Sequence, residues 1–305
     1  MIRTLIAVTV ASLGLAASSC SRATPGPRTF ATPEEAVRAL TDVVKAEKLD
    51  DLLAIFGPDG KELIASSDAA TARGNRKVFT VAVAEKWHLV DQGANTKVLV
   101  IGNEEWPFPV PLVHDANGWR FDTAAGKEEV VARRIGRNEL AVMQICRTYV
   151  AAQYHYAHEG HDGKRAGLYA TAFRSSPGKQ NGLYWEAGHG QKRSPLGDLV
   201  AQAAEEGRSL GKEGRPEPFH GYYFKILTSQ GAAATGGAKN YVTGGDMSGG
   251  FALVAWPAQY DATGVMTFIV NQDGVLYEKD LGPDTASAAK AISVYDPDSS
   301  WAKAQ

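Results

Sequence analysis

The sequence predicts an α+β protein of two domains. The first is a set of helices followed by a curved antiparallel sheet; the second is a long helix laid on an antiparallel meander. Three observations predict this. Helix start and stop signals fill residues 32–84 and then give way to short runs with apolar residues at every second position. A stretch of about thirty residues from Ala125 to Ala157 contains no proline and carries apolar residues at helical spacing. The last third returns to short strand-like runs separated by glycine- and asparagine-containing turns. The 305 residues fit roughly two domains of about 100–200 residues each. With 44% hydrophobic and 22% charged residues the chain can bury a core. A formal charge of −2 offers no basic excess to track a phosphate backbone, so nucleic acid is not an expected partner.

The N-terminus reads as an export signal. Arg3 is followed by a largely apolar run from Leu5 to Ala17 and then by small residues ending at Cys20. The run is shorter than the about 20 residues of a membrane span. The Ala17-Ser18-Ser19-Cys20 ending resembles the lipobox of bacterial lipoproteins, with Ala17 where leucine is commoner. Residues 1–19 are then the signal peptide and Cys20 the lipidated residue, which makes the membrane a partner through the lipid. The alternative is an ordinary secretory cleavage near Ala17–Ser19 that leaves Cys20 incidental. Each buried CH₂ of a lipid chain contributes about 0.8 kcal/mol, and more than one chain is needed for a stable anchor. With Ser21 rather than Asp after Cys20, the expected address is the periplasmic face of the outer membrane, in a host that has one.

Ser21–Pro33 has proline and glycine breaks and no periodicity, as a tether does; the domains are expected at 32–126 and 127–305, with 20–31 as the linker. Thr32-Pro33-Glu34-Glu35 starts a helix: Thr as N-cap, Pro in the first turn, Glu35 closing a capping box. Leu49–Gly57 is a second helix stopped by Gly57-Pro58, and a third runs from about Asp68 to Ala84. Strands are expected at Trp87–Gly93, Thr96–Gly102, Trp106–Asp115 and Gly118–Ala124, with Asp115–Gly118 as a hairpin turn. Pro107, Pro109 and Pro111 alternate, which suits an edge strand. Helices followed by such a sheet look like the NTF2-like cone, a class that often encloses a pocket. Trp87, Trp106, Phe108 and Trp119 would line the pocket or fill the core.

In the second domain, Gly136 is the one residue expected to split the long helix. Cys146 shares a face with Leu140, Met143 and Val150, so it reads as a buried, inert thiol. A short helix is expected within Ser194–Gly207. Strands follow at Gly221–Gln230, Gly249–Tyr260, Gly264–Asn271 and Gly274–Leu281, with Asn271–Gly274 as a tight turn, and a helix at Asp284–Tyr295 closes the chain.

Two long peptides are specific enough to suggest a family: WPFPVPLV followed by GWRFDTAAGKEEVVARRIGRNEL, and GYYFKILTSQG followed by GGFALVAWPAQYDATGVMTFIVNQDGVLYEKDLGPDT. They resemble the bacterial exported-protein family catalogued as domain of unknown function 2950, from about Phe30 to Trp301. The resemblance implies an envelope location and no established activity, substrate or catalytic residue. The order of a long helix, GLYW, GYYFKILTS and a V-x-x-D-G-V turn is also similar to type IV pilin-like globular domains, without their apolar N-terminal spine.

No complete catalytic set stands out. Ser176-Pro177-Gly178-Lys179 fits S-x-x-K, but that chemistry needs Ser and Lys one helical turn apart, and Pro-Gly favours a turn. Gly207–Lys212 is one residue short of a phosphate loop. Glu104 and Glu105 would point to opposite faces of a strand. Asp296-Pro297-Asp298-Ser299 lacks the glycine and distal glutamate of a calcium hand. Arg133, Arg134 and Arg137, with Asn138 and Glu139, read as a charged capping cluster between the domains. The candidate ligand contacts are Trp106, Phe108 and Arg137.

His155, His158 and His161 recur at a spacing of three, with Glu159 and Asp162 among them. On a helix His155 and His158 share a face. His161 lies beyond Gly160, so a metal site needs the loop to fold back. The favoured reading is a helix end, where protonated histidines gain about 0.3–1 kcal/mol from the dipole. No metal and no cofactor is expected. The expected role is a non-enzymatic envelope lipoprotein that binds an envelope protein or a small ligand. The alternatives are an envelope hydrolase or ligand binder with its pocket in the first domain or between domains, and a soluble periplasmic scaffold.

Overall fold

The computed structural model describes residues 26–64, 69–188, 192–200 and 217–305. The signal stretch, Cys20, Ser21–Pro25, Gly207–Lys212 and most of the helix expected at 194–207 lie outside them; helical backbone is present there over 197–200. The fold is α+β, and the chain divides into two compact units, Met1–Lys127 and Glu128–Gln305.

The first unit opens with α1 (Pro33–Lys45). Thr32 accepts the Glu35 N–H at 3.2 Å, and the Glu35 carboxylate reaches back to the Ala31 N–H at 3.2 Å, so donors left over at the helix start find partners locally. Helix α1 buries Ala36, Val37, Leu40 and Val44 at helical spacing. Helices α2 (Leu49–Phe56), α3 (Lys61–Ile64) and α4 (Ala69–Glu85) follow. The sheet contains β1 (Trp87–Asp91), β2 (Thr96–Ile101), β3 (Trp106–Pro107), β4 (Leu112–Asp115) and β5 (Gly118–Phe121). All pairings are antiparallel, in the order β1-β2-β4-β5, with β3 also on β2. The alternate prolines leave only two residues of β3 in the ladder, because a proline has no N–H to donate. Phe56, Phe79, Phe108 and Phe121 form a series of edge-to-face and tilted ring contacts at 5.4–6.2 Å in the core.

The long helix α5 (Thr123–Ala157, 35 residues) begins in the first unit and supplies the helix of the second. The break expected at Gly136 does not occur. The residues around it are good helix formers, and they absorb the about 1 kcal/mol that glycine costs in a helix interior. The buried face of α5 carries Val142 and Met143 and then Cys146, Tyr149, Gln153 and Tyr156 at steps of three or four residues. It packs on a five-stranded antiparallel sheet ordered β14-β13-β12-β11-β6. These strands are β6 (Tyr222–Leu227), β11 (Ala252–Pro257), β12 (Met266–Asn271), β13 (Tyr277–Asp280) and β14 (Ala302–Lys303). Between β6 and β11 the chain makes β7 (Ser229–Gln230) with β8 (Lys239–Asn240), and β9 (Val242–Thr243) with β10 (Asp246–Met247). Strand β11 is buried along its whole length, which is why its sequence ALVAWP is apolar at every position. Helix α6 (Thr285–Ala291) also packs on it.

Asn138 and Glu139 act inside the second unit. The Glu139 carboxylate accepts the N–H groups of Val265 at 2.8 Å and Met266 at 2.9 Å and the Tyr222 hydroxyl at 3.3 Å. Asn138 donates to the Thr263 carbonyl at 2.8 Å. These bonds hold one end of the helix face to the start of β12; the histidine-bearing end is held differently.

Candidate functional site

Helix α5 stops at Ala157, and the chain turns back at once. The Gly167 N–H donates to the Ala157 carbonyl at 2.8 Å. Gly160 permits the return, since a Cβ there would stand 2.3 Å from the Lys164 carbonyl oxygen. Lys164 N–H closes a turn onto the His161 carbonyl at 2.9 Å, with Asp162 (φ 50) and Gly163 (φ 78) in the centre. Two left-handed residues make this a type I′ turn, for which Asp-Gly is a preferred pair.

The turn brings His161 back over the helix. Its ring stacks on Tyr156 with centroids 4.1 Å apart, and Nε2 donates to the Tyr156 carbonyl at 2.9 Å. Trp185 stands 5.6 Å from the same ring. Gln180 ties the turn to a second loop. Its N–H donates to both oxygens of Asp162 at 3.1 and 3.0 Å, and its carbonyl accepts the Tyr156 hydroxyl at 2.8 Å. Burial and the nearby Asp162 charge push the Tyr156 phenol up to about 12, so it stays a donor at neutral pH.

These loops and β10 enclose a cleft of about 580 Å³ in the second unit. Tyr156, His161, Leu168, Tyr169 and Met247 give it aromatic and apolar walls. Tyr169 is fixed by its N–H to the Met247 carbonyl at 2.8 Å. Charged groups rim it. Lys164 pairs with Asp246 at 2.6 Å, and Glu159 pairs with Lys192, whose ammonium holds the Glu159 carboxyl below the usual carboxylate range. The volume lies within the range of about 300–1,000 Å³ typical of small-molecule sites.

Residues 27–304 match the family described as "Protein of unknown function (DUF2950)". The chain belongs to that family. No curated protein matches the DUF2950 chain, and no solved structure matches it, so neither the NTF2-like nor the pilin-like likeness gains support.

The other sequence candidates of this DUF2950 protein have definite places. Phe108 is packed between Phe79 and Phe121, which commits its ring to the core. Trp106 is exposed on β3 and Arg137 is exposed on α5; neither lines the cleft. His155 and His158 are exposed, while His161 is half-buried against Tyr156. The loop does fold back, but to the tyrosine. Among the described residues no group of three or more His, Cys, Asp or Glu is placed to hold a metal ion.

Ser176 and Lys179 face each other across a turn closed by Lys179 N–H on the Ser176 carbonyl at 3.0 Å, so they do not share a helical face. Glu104 and Glu105 sit in a turn rather than a strand, and Glu105 pairs with Lys86 and, at 3.5 Å, with His88. Asp296 accepts the Ala233 N–H at 2.8 Å, and Asp298 accepts the Ser300 N–H at 2.9 Å. Arg133 pairs with Glu129 one helical turn away. Cys146 is buried, and burial pushes its thiol up to about 12.

Proposed function

We propose that this protein is an exported lipoprotein of the cell envelope whose folded part binds a ligand rather than transforming one. The observation that carries the export reading is the N-terminal pattern: Arg3, the short apolar run and Ala17-Ser18-Ser19-Cys20. Cleavage before Cys20 leaves a cysteine for lipid, followed in sequence by a stretch with proline and glycine breaks. Several acyl chains together give a stable anchor where one does not. No helix among the described residues is long and apolar enough to cross a membrane.

The cleft beside α5 supports the binding part. Its histidine ring is oriented by the Nε2 donation to the Tyr156 carbonyl, with Nδ1 3.4 Å from the Gln180 side-chain oxygen. Its carboxylates are held by Lys192, by Lys164 and by the Gln180 N–H. Such a site has its side chains fixed before a ligand arrives, as preorganised recognition requires.

Metabolic labelling with palmitate tests the anchor. The full chain is expected to take up label and to fractionate with membranes, and Cys20→Ala is expected to lose both. Equal labelling of the two proteins overturns the anchor.

A further inference from the structure

The charges around the α5 cleft do not cancel one by one. Three carboxylates line it, and each is engaged: Glu159 by Lys192, Asp162 by the Gln180 N–H, and Asp246 by Lys164. Lys164 is thereby neutralised as well. Two cations remain. Arg165 bonds only the neighbouring Ala166 carbonyl, at 3.2 Å, and Lys179 has no ion-pair partner among the described residues. Both line the cleft and both are exposed. Tyr169 and Thr171 line it too, and their hydroxyls make no hydrogen bond among the described residues.

We propose that this cleft binds a small organic anion, with Arg165 and Lys179 holding its carboxylate or phosphate. The proposal rests on the reading of the second unit as a binding module, and it names the ligand class. An anion oxygen needs cationic or hydroxyl donors that are not already spent, and these four groups are the ones the cleft leaves unspent. The ion pairs of Glu159 with Lys192 and of Asp246 with Lys164 offset two of the three acids, and the two unpaired cations outnumber the one acid, Asp162, that keeps its charge. The apolar wall of Leu168, Met247 and the Tyr169 ring takes the uncharged body of the ligand. One ligand chemistry covers two sources, a free metabolite and the headgroup of an envelope lipid.

The test is calorimetry of the full chain in non-ionic detergent with glycerol 3-phosphate, succinate, short-chain phosphatidylglycerol and glycerol. The anions are expected to bind with 1:1 stoichiometry, at least about tenfold tighter than glycerol, a difference of about 1.4 kcal/mol. Arg165→Gln combined with Lys179→Gln should weaken them by at least about tenfold, and Arg193→Gln, which removes a cation outside the cleft, should leave them unchanged. An unchanged melting transition establishes that the double variant is folded. Preference for short-chain phosphatidylglycerol assigns the headgroup as the source; preference for glycerol 3-phosphate or succinate assigns the free anion. Binding of glycerol as tight as the anions, binding unaffected by the double variant, or no saturable anion binding up to about 10 mM overturns the proposal. Equal binding of glycerol overturns the ligand class while leaving a binding module; no binding by any probe counts against both. Palmitate labelling is independent of either result.

Discussion

The side-chain amide of Gln153 pairs with both backbone groups of Ala170: Nε2 donates to the Ala170 carbonyl at 2.8 Å and Oε1 accepts the Ala170 N–H at 2.9 Å. Gln153 is fully buried on α5 and also donates to the Tyr149 hydroxyl at 3.0 Å, which donates in turn to the Ala252 carbonyl at 3.2 Å. The side chain thus plays the part of a neighbouring strand for Ala170, the residue after the one that bridges β10 at Met247. Gln153→Leu keeps the bulk but leaves the Ala170 N–H and carbonyl buried without partners, a cost of about 1–3 kcal/mol for each unsatisfied group. Urea unfolding should show a lower midpoint by about 2–4 kcal/mol in stability, with the slope unchanged. A loss below about 0.5 kcal/mol would mean the loop finds other partners.

Alkaline pH should weaken the second unit. Burial raises the Cys146 thiol from an ordinary 9.0 to about 12, and the Tyr156 and Tyr241 phenols from 10.0 to about 12. A raised folded value means that the unfolded chain releases protons which the folded chain retains. Stability is therefore full below about pH 9, where both states are protonated, and falls as the pH climbs towards 12. Melting temperatures measured from pH 7 to 11 should hold to about pH 9 and then drop. A thiol reagent at pH 8 should find Cys146 silent in the folded protein and reactive after denaturation. Rapid labelling of the folded Cys20→Ala variant, in which Cys146 is the one thiol, would sink the buried-thiol account.

Much of the architecture is legible in the sequence because its determinants are local. Thr32, Pro33 and Glu35 write the start of α1 within four residues, and the short apolar runs rich in β-branched and aromatic residues at Tyr222–Leu227 and Met266–Asn271 write two strands. The cleft is not legible in the same way. Its walls come from 156–171, 179–181 and 245–247, brought together by turns whose partners are distant in sequence. Lys179 and Arg165 look like ordinary surface cations until the acids near them are seen to be paired. Gln153 reads as a polar helix residue, since nothing nearby in sequence announces Ala170. The Asp162-Gly163 pair is the one local signal that could have found the site, because a type I′ turn sends the chain back on itself.

Three glycines of the α5 region should respond in three ways to alanine. At Gly136 the helix backbone is ordinary and nothing lies within 4 Å of an added Cβ, so Gly136→Ala should stabilise by about 0.5–1 kcal/mol. At Gly163 there is also open space but φ is +78, and alanine should cost about 1–2 kcal/mol of backbone strain. At Gly160 the added Cβ meets the Lys164 carbonyl at 2.3 Å, so the turn must move and anion binding at the cleft should weaken with stability. Denaturation of the three variants side by side checks the order; a neutral Gly160→Ala would mean the turn is not held where Gly160 and Lys164 meet.

The histidine triplet divides into two kinds of residue, and substitution should separate them. His161 is stacked on Tyr156 at 4.1 Å and donates to its carbonyl at 2.9 Å, so His161→Ala removes an aromatic contact worth about 0.5–1.5 kcal/mol and a hydrogen bond worth about 0.5–1.5 kcal/mol. The expected loss is about 1–3 kcal/mol. His155 and His158 are exposed, and their replacement by alanine should change stability by no more than about 0.5 kcal/mol. Metal binding by all three would require Nε2 of His161 to leave the Tyr156 carbonyl and its ring to leave the stack, so ligation would be opposed by those same lost contacts. Zinc added to the tag-free protein should therefore leave the melting temperature of both the parent and His161→Ala unmoved. A zinc-dependent rise that disappears in His155→Ala and His161→Ala alike would show that the turn opens and that the three rings converge on a metal.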